Sequence, residues 1–322
     1  MLEYWTRKVA KALFILAAST APAFSDSVLT FKVGYGAGGI TDIAARVISR
    51  HLPNHIETYD QAVVENVPGA GGIKLLRLSA SPKAEAQDTA YFLAFQAISS
   101  GALDDIENGV TPARPRFISA LVSDFPGCWV AADSPISTAE QILQDGVSYG
   151  ATGRGSSGYR FPASFRSANK LALDVVTGYS GAAETFAALE RGEVDVVCLP
   201  PLDTTNLRRI GYFGPIGHTD ESGLPNLTDL VADDEARALT ELFVFQAMPV
   251  FVMFMSEHAS EQAAEALRAA IANMIEDTAF ISDFERAGYV LNPTSAQELD
   301  RLYEKFAAMS PETIERLMHL IE

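Results

Sequence analysis

The amino-acid sequence predicts an α/β protein with two lobes and a ligand cleft between them. A chain of 322 residues is long enough for two domains of ordinary size. Apolar, strand-forming runs alternate with helical patterns from Asp26 to about Phe125, and the same plan starts again beyond Phe125. Glycine-rich loops follow strands in both halves, and loops of this kind meet at one edge of a parallel sheet. Two such edges that face each other would form a clamp around a ligand.

The first element is a strand over residues 28–35, which leads through a glycine-rich loop into a helix over residues 40–52. Glycines let the chain turn tightly and expose the first N–H groups of the helix, where the helix dipole favours an anion. Two alternatives stay open. In the first, the loop is only a tight turn. In the second, the loop belongs to a dinucleotide-binding unit, because it has a G-x-G-x-x-G pattern from Gly34 and Glu65 ends the next strand.

The rest of the first half repeats this order. A strand over residues 62–67 runs into a second glycine-rich turn, residues 68–72, and then into another helix. The next strand, residues 91–95, leads into Gln96 and Ser99. Because ligands of open α/β sheets bind at the carboxyl ends of the strands, we expect both side chains to face the cleft.

The second half contains a third glycine-rich loop after a strand, now with hydroxyl groups and an arginine, Arg154. The predicted elements are a strand over 129–131, a short helix opened by a capping box at 137–140, a strand over 148–151, the loop 152–158, a helix over 161–169, a strand over 173–176, a helix over 182–190 and a strand over 194–199.

The pattern is weaker towards the C-terminus. A long apolar run over residues 242–255, interrupted by Pro249, is interpreted as a buried pair of strands. Beyond it the sequence predicts a helix over 261–279, a short strand over 288–291, a helix from Thr294 or Ser295 to Met309, and a last helix over 311–321.

The first 25 residues have the three parts of a signal peptide. A basic region precedes an apolar run over residues 12–18, and small residues stand at 23 and 25 before a cut at Asp26. The apolar run is too short to span a bilayer, so a retained anchor is the weaker alternative. The segment predicts export, and we expect the mature chain in the periplasm.

The composition excludes two classes of partner. With 24 basic and 41 acidic residues, the chain has a formal net charge of −17. A surface of that charge repels nucleic acid and anionic lipid, so neither is expected as a partner. Anionic small molecules stay possible, because a local cluster of N–H donors outweighs a diffuse surface charge.

No group of residues requires catalysis. Ser156 and Ser157 lie in a glycine-rich loop, which leaves a secreted hydrolase as an alternative, but the sequence has no G-x-S-x-G motif and no histidine in a catalytic pattern. No cofactor or metal ligand set is predicted. Cys128 and Cys198 form either one disulfide or two buried free thiols, and both interpretations stay open.

Several motifs together resemble the substrate-binding receptors of tripartite tricarboxylate transporters, the Bug family. They are residues 36–46 of the first loop and helix, 63–72 of the second loop, 149–156 of the third loop, and the runs 178–182 and 189–195. The resemblance covers nearly the whole mature chain.

The resemblance implies a type II periplasmic-binding fold, with two mixed sheets, flanking helices and a ligand cleft between the lobes. Residues 26–126 are then the first part of lobe 1, residues 127–225 form lobe 2, and residues 226–322 return to lobe 1. It also implies a monomer that binds a small carboxylate and delivers it to membrane permease subunits, without catalysis.

The resemblance further implies that the first and third loops hold the ligand. The N–H groups of the first loop are expected to bind one carboxylate, and the third loop to close on it from the other lobe. Asp42 either pairs with the helix dipole or orients a water or a ligand amine, and the two tyrosines either line the cleft or pack at strand ends. The candidate ligand-binding residues are Tyr35, Ala37, Gly38, Gly39, Asp42, Gln96, Ser99, Thr152, Gly153, Gly155, Ser156 and Tyr179.

Overall fold

The structure is a computed structural model that describes residues 27–81, 87–200, 206–219 and 222–322. The predicted signal peptide, residues 1–25, lies outside the described residues. No helix in these ranges is both long and apolar enough to cross a membrane. The strands are β1 (Val28–Val33), β2 (Gln61–Asn66), β3 (Thr89–Leu93), β4 (Arg116–Ser123), β5 (Gly127–Ala131), β6 (Ser148–Ala151), β7 (Asp174–Thr177), β8 (Val196–Leu199), β9 (Leu207–Tyr212), β10 (Pro249–Met255) and β11 (Thr294–Ser295).

The helices flank these strands. They are α1 (Ile40–His51), α2 (Ile73–Ser79), α3 (Phe95–Glu107), α4 (Ser157–Asn169), α5 (Ala182–Glu190), α6 (Asp234–Ala247), α7 (Glu261–Met274), α8 (Thr278–Arg286), α9 (Ala296–Ala307) and α10 (Pro311–Leu320). A capping box opens a short 3-10 helix, Ala139–Leu143, one residue later than predicted, with Thr138 as the N-cap residue and Gln141 as its partner.

The first sheet has the strand order β11-β4-β10-β3-β1-β2. Strand β1 pairs in parallel with β2 and β3, and β10 pairs in antiparallel with β3 and β4. Every residue of β3 and β10 is buried, in line with the apolar composition of both strands, because layers of side chains cover both faces of the sheet.

The second sheet has the order β7-β6-β8-β5-β9, with β6 parallel to β7 and β8 and with β5 antiparallel to β8 and β9. Two mixed sheets with flanking helices confirm the predicted fold class. We call each sheet with the hydrophobic clusters around it a lobe.

The chain crosses between the lobes at neighbouring places. Residues 124–126 lead from β4 to β5, and Met248 leads from α6 back to β10. The Asp124 N–H donates a hydrogen bond to the Met248 carbonyl at 3.1 Å, so these two crossings lie side by side. Helices α6 and α10 pack into the core around the second sheet. The predicted lobe limits at 126/127 and 225/226 stay a prediction.

Two predictions for the C-terminal part are wrong. The run over residues 242–255 is the end of α6 followed by β10, and not a pair of strands. The acidic residues before the run start the helix, since the Asp233 side chain caps α6 by accepting the Ala236 N–H at 2.8 Å. The predicted strand over residues 288–291 is irregular, and the short edge strand is β11 instead.

The structure decides the question of the cysteines. Cys128 and Cys198 are register partners on the antiparallel strands β5 and β8, and they form a disulfide. Both are fully buried between the sheet and its helices. The bond joins positions 70 residues apart in the sequence and cross-links two neighbouring strands of the second sheet.

Candidate functional site

A cleft lies between the carboxyl ends of the strands of the two sheets. It forms a cavity of about 50 Å³ that is partly open to solvent. Strands β1 and β3 of the first lobe and β6 and β7 of the second lobe each lead into a helix at this place. The fold thereby brings four strand–helix connections to one cavity, as expected for ligand sites of α/β sheets.

The N-terminal ends of four helices line this cavity. The first N–H groups of an α-helix have no partner within the helix, and the helix dipole places a partial positive charge there. Each of these helices has nine or more residues. The residues that line the cavity from these ends are Gly39, Ile40 and Thr41 of α1, Ala94 and Gln96 of α3, Gly155, Ser156 and Ser157 of α4, and Ala182 of α5.

Two buried polar side chains in the lining have unused hydrogen-bonding atoms. Gln96 is 3% exposed and Thr152 is 7% exposed. The amide nitrogen Nε2 of Gln96 and the hydroxyl oxygen Oγ1 of Thr152 have no partner within the described ranges. Buried polar atoms are nearly always paired in native proteins, so these donors are available to a bound ligand or to water in the cavity. Both groups can donate to an anion.

Tyr35 adds a third side-chain donor at one end of the cleft. Its hydroxyl accepts the Ala94 N–H at 3.2 Å, at the start of α3. Burial raises the pKa of Tyr35 to about 12, although the hydrogen bond from Ala94 acts in the opposite direction. The phenol therefore keeps its proton at neutral pH and can donate it to a bound ligand.

The remainder of the lining is apolar. Leu199 and Pro200 follow the second sheet, and Ala247 and Val250 come from the crossing between α6 and β10. Among the described residues that line the cavity, none carries a formal charge. An anion in this cleft is therefore met by N–H dipoles and hydroxyl groups, not by a salt bridge.

A buried cation lies close behind the cleft. Arg160, one helical turn beyond Ser157 in α4, is 2% exposed and stays outside the cavity lining. Its Nη1 donates to Oε1 of Gln246 at 3.2 Å, and its guanidinium lies 5.1 Å from the Phe243 ring centre. Burial lowers the pKa of Arg160 to about 10, so the group stays charged at neutral pH. The negative charge of Asp104 acts in the opposite direction and raises the pKa of Arg160, so the charge of Arg160 is partly balanced within the protein.

The structure brings only part of the first loop into the cleft. Gly39 lines the cavity, whereas Ala37 and Gly38 are exposed and lie outside the lining. The Gly38 N–H donates to the Asp42 carboxylate at 2.8 Å, and the Gly39 N–H to the Gly36 carbonyl at 3.3 Å. Two of the three N–H groups expected to hold a carboxylate are thus used inside the protein.

Asp42 lies under the first loop and outside the cleft lining. Its carboxylate accepts hydrogen bonds from the Gly38 N–H, from Nε of Arg46 at 2.9 Å and from Nδ2 of Asn66 at 2.9 Å. Burial alone would raise the pKa of Asp42, but these three hydrogen bonds and the Arg46 charge lower it. The contacts favour the structural alternative, in which Asp42 fixes the loop and pairs with the helix dipole.

Ser99 and Gly153 also lie outside the lining. Ser99 belongs to the second turn of α3, not to a strand end, and its hydroxyl donates to Oε1 of Gln246 at 2.8 Å. Gly153 contacts the second loop of the other lobe, where a Cβ atom would come within 2.9 Å of the Ala70 carbonyl carbon. Gly153 is therefore part of the contact between the lobes.

Tyr179 lines a neighbouring groove with Tyr35, Thr152 and residues of the second loop. The loops of the two lobes are hydrogen bonded beside this groove, since the Gly36 N–H donates to the Ser180 carbonyl at 2.9 Å. The second glycine-rich loop has a role that the sequence did not predict. It forms the surface against which the third loop packs.

The alternative enzyme functions gain no support from this geometry. The Ser156 hydroxyl donates to the Gly153 carbonyl at 2.7 Å, and no histidine of the described chain lines the cleft. Glu65, which a dinucleotide enzyme would use for the ribose, lies 3.8 Å from Nζ of Lys32. The described residues contain no group of three or more histidine, cysteine or carboxylate residues that could hold a metal ion.

Comparisons with known proteins agree with the architecture. No family model matches the chain, and no curated protein matches it in sequence. Solved structures match it along nearly its whole length. The periplasmic binding protein BugD is 18% identical, covers 92% of this chain and 98% of its own, and has a TM-score of 0.67. MatC from Rhodopseudomonas palustris, solved with bound malate, is 16% identical over 93% of this chain and all of its own, with a TM-score of 0.66.

A second R. palustris protein, solved with adipate, is 16% identical over 92% of this chain and 98% of its own, with a TM-score of 0.63. This chain has the fold of a periplasmic binding protein. The predicted type II fold is confirmed, and BugD is among the structures similar to it, in agreement with the resemblance found in the sequence.

Proposed function

We propose that this protein is an extracytoplasmic receptor that binds a small carboxylate in the cleft between its lobes. The observation that carries the proposal is the convergence of four helix N-termini on one cavity that also contains the unpaired donors of Gln96 and Thr152. Backbone N–H groups at helix N-termini bind anions without a countercharge from a side chain. A carboxylate also accepts several hydrogen bonds at once, which suits a cavity rich in donors.

The mode of binding follows from the two-lobed fold. Helices α1 and α3 would present donors from the first lobe, and α4 and α5 from the second lobe. Because a ligand that bridges these ends gains hydrogen bonds from both lobes, it favours the arrangement in which the lobes are in contact. The hydrogen bond between Gly36 and Ser180 belongs to that arrangement.

Structural neighbours solved with malate and adipate support the choice of a carboxylate as ligand. The predicted signal peptide and the resemblance to tripartite tricarboxylate transporter receptors support export to the periplasm, where a monomer would deliver the ligand to membrane permease subunits. Nothing in the cleft favours a chemical step, so we propose binding without turnover.

A thermal-shift screen tests this proposal. The purified chain is heated with mono-, di- and tricarboxylates, with aromatic acids, with amino acids, and with NAD as a control. A ligand at 100 times its Kd stabilises a protein by about 2.7 kcal/mol, which raises Tm by several degrees for a domain of this size. We expect a shift with one class of carboxylate and none with NAD. A shift with NAD alone would contradict the proposal and favour the dinucleotide alternative.

A further inference from the structure

The polarity of the cleft points to a particular class of ligand. We infer that the ligand is a monocarboxylate with an apolar body, and not a dicarboxylate; this inference rests on the proposed receptor function. Two adjoining cavities carry this inference: the cleft itself and a wider space at one of its ends, which we call the vestibule.

The cleft has two chemically different ends. Tyr35 and Thr152 belong both to the cleft and to the groove between the glycine-rich loops, so they mark its polar end. Ile40, Pro200 and Val250 belong both to the cleft and to the vestibule, so they mark the opposite end. A ligand that places its carboxylate among the donors near Thr152 directs its other end past three apolar side chains.

The vestibule has a mixed lining, in which apolar side chains continue this path beside the polar Ser123, Asp124 and Asn292. It has a volume of about 470 Å³ and is partly open to solvent, and Val122, Phe251, Tyr289 and Val290 are among its lining residues. Val290 is 76% exposed, an unusual state for a large apolar residue beside a cavity. An aliphatic or aromatic body that extends from the cleft would cover Val290 and the half-buried Val122, whereas Phe251 and Tyr289 are already buried.

The charges in the two cavities oppose a second carboxylate. Neither lining contains a lysine, arginine or histidine among the described residues. The only formal charge in the two described linings is the carboxylate of Asp124, in the vestibule. Arg160 lies outside both linings, where its Nη1 is hydrogen bonded to Gln246, so it is not a partner for a second carboxylate in the vestibule. A dicarboxylate would therefore place its second charge beside the Asp124 carboxylate, where Ser123 and Asn292 are the polar neighbours and no described lining residue is a cation.

The test compares acids that differ only in the second carboxylate. Hexanoate is paired with adipate, and benzoate with terephthalate, in calorimetric titrations of the purified chain at neutral pH. In each pair that binds, we expect the Kd of the monocarboxylate to be at least tenfold lower than the Kd of the dicarboxylate. Equal binding, or tighter binding of the dicarboxylate, would overturn the inference and leave the receptor function intact. If neither these acids nor any other carboxylate of the screen binds, the receptor function itself fails.

A variant of Asp124 tests the vestibule separately. Asp124→Asn keeps the side-chain oxygen that accepts the Phe125 N–H, and it removes the charge. We expect the dicarboxylate to bind severalfold more tightly while the monocarboxylate is unchanged. The control is Asp133→Asn, which removes an exposed charge outside both linings and should change neither acid. If the ratio of the two Kd values is the same in the wild type and in Asp124→Asn, then the charge of Asp124 does not oppose the second carboxylate.

Discussion

Replacing Gln96 by leucine separates a ligand-binding residue from a structural one. The Nε2 group of Gln96 is buried in the cleft lining without a partner in the described chain. If it serves the ligand, then the protein alone gains nothing from it. Leucine removes the unpaired donor and keeps a side chain of similar size. Affinity and stability should therefore change in opposite directions.

The size of both effects follows from general hydrogen-bond energies. A hydrogen bond to a charged acceptor contributes about 1.5–3 kcal/mol, so the Kd for the acid should rise by about 10- to 150-fold. An unpaired buried donor costs about 1–3 kcal/mol, so its removal should not lower the free energy of unfolding. At about 2–4 °C per kcal/mol, the Tm measured without acid should stay constant or rise by a few degrees.

The assay is calorimetric titration together with thermal unfolding of each variant without acid. Ser99→Ala is the matched control on the same helix, because the Ser99 hydroxyl is already paired with Gln246 outside the cleft. It should lower stability by about 1 kcal/mol and leave Kd within about twofold. A Gln96→Leu variant that binds the acid normally but unfolds several degrees earlier would refute the assignment of Gln96 to the ligand.

Three further predictions concern closure, pH and the disulfide. Gly153→Ala places a Cβ about 2.9 Å from the Ala70 carbonyl carbon, so the lobes should be held apart, with about tenfold weaker binding and a larger radius of gyration in X-ray scattering. Asp42→Asn should lower the unfolding free energy by about 1–3 kcal/mol at neutral pH. Because folding lowers the pKa of Asp42, that loss is complete above its unfolded pKa of about 3.9 and disappears as pH falls through the folded pKa. Replacing Cys128 and Cys198 by alanine should cost about 4 kcal/mol in denaturant unfolding, from the entropy of a loop of 70 residues.

Each of these has an informative contrary result. A folded Gly153→Ala variant with unchanged affinity and an unchanged radius of gyration would argue against a backbone contact between the lobes at this position. A difference between wild type and Asp42→Asn that persists at pH 2 would show that the charge of Asp42 is not its cause. A double cysteine variant as stable as the oxidised protein would argue against a disulfide in solution.

The strands and helices around the cleft could be predicted because their signals are local. Glycine-rich loops between an apolar run and a helical pattern mark four of the strand–helix connections, and the structure has them at β1, β2, β6 and β7. Capping residues also act locally, as Ser310 and Ser295 show at the starts of the last two helices.

The end of α6 could not be predicted from periodicity. Residues 242–255 are apolar apart from Gln246 because the helix end packs into the core around the second sheet and β10 is buried on both faces. A continuous apolar run fits a buried helix and a buried strand equally well. Pro249 marks the true boundary, and the cap at Asp233 was the available signal for a helix before it.

The polar part of the cleft lining contains residues that the sequence analysis proposed, and the apolar part contains residues that it did not propose. Gln96, Thr152, Gly155 and Ser156 follow strands directly, so sequence order places them at the sheet edge. Ala247 and Val250 reach the cleft only through the return crossing, and their sequence has no motif that indicates it. Leu199 and Pro200, by contrast, end a predicted strand and could have been included by the same rule as Gln96.

The most direct test of an anion site built from helix N-termini compares one acid with its own amide. The acid that gives the largest shift in the screen and its primary amide are titrated into the same preparation in a calorimeter. The two differ in charge and hardly in shape. Since helix dipoles and N–H donors favour a full negative charge, we predict one site per chain and an amide that binds about 100-fold more weakly or not at all. Equal affinity for the acid and the amide would contradict the account, because the cleft would then recognise the body of the ligand and not its carboxylate.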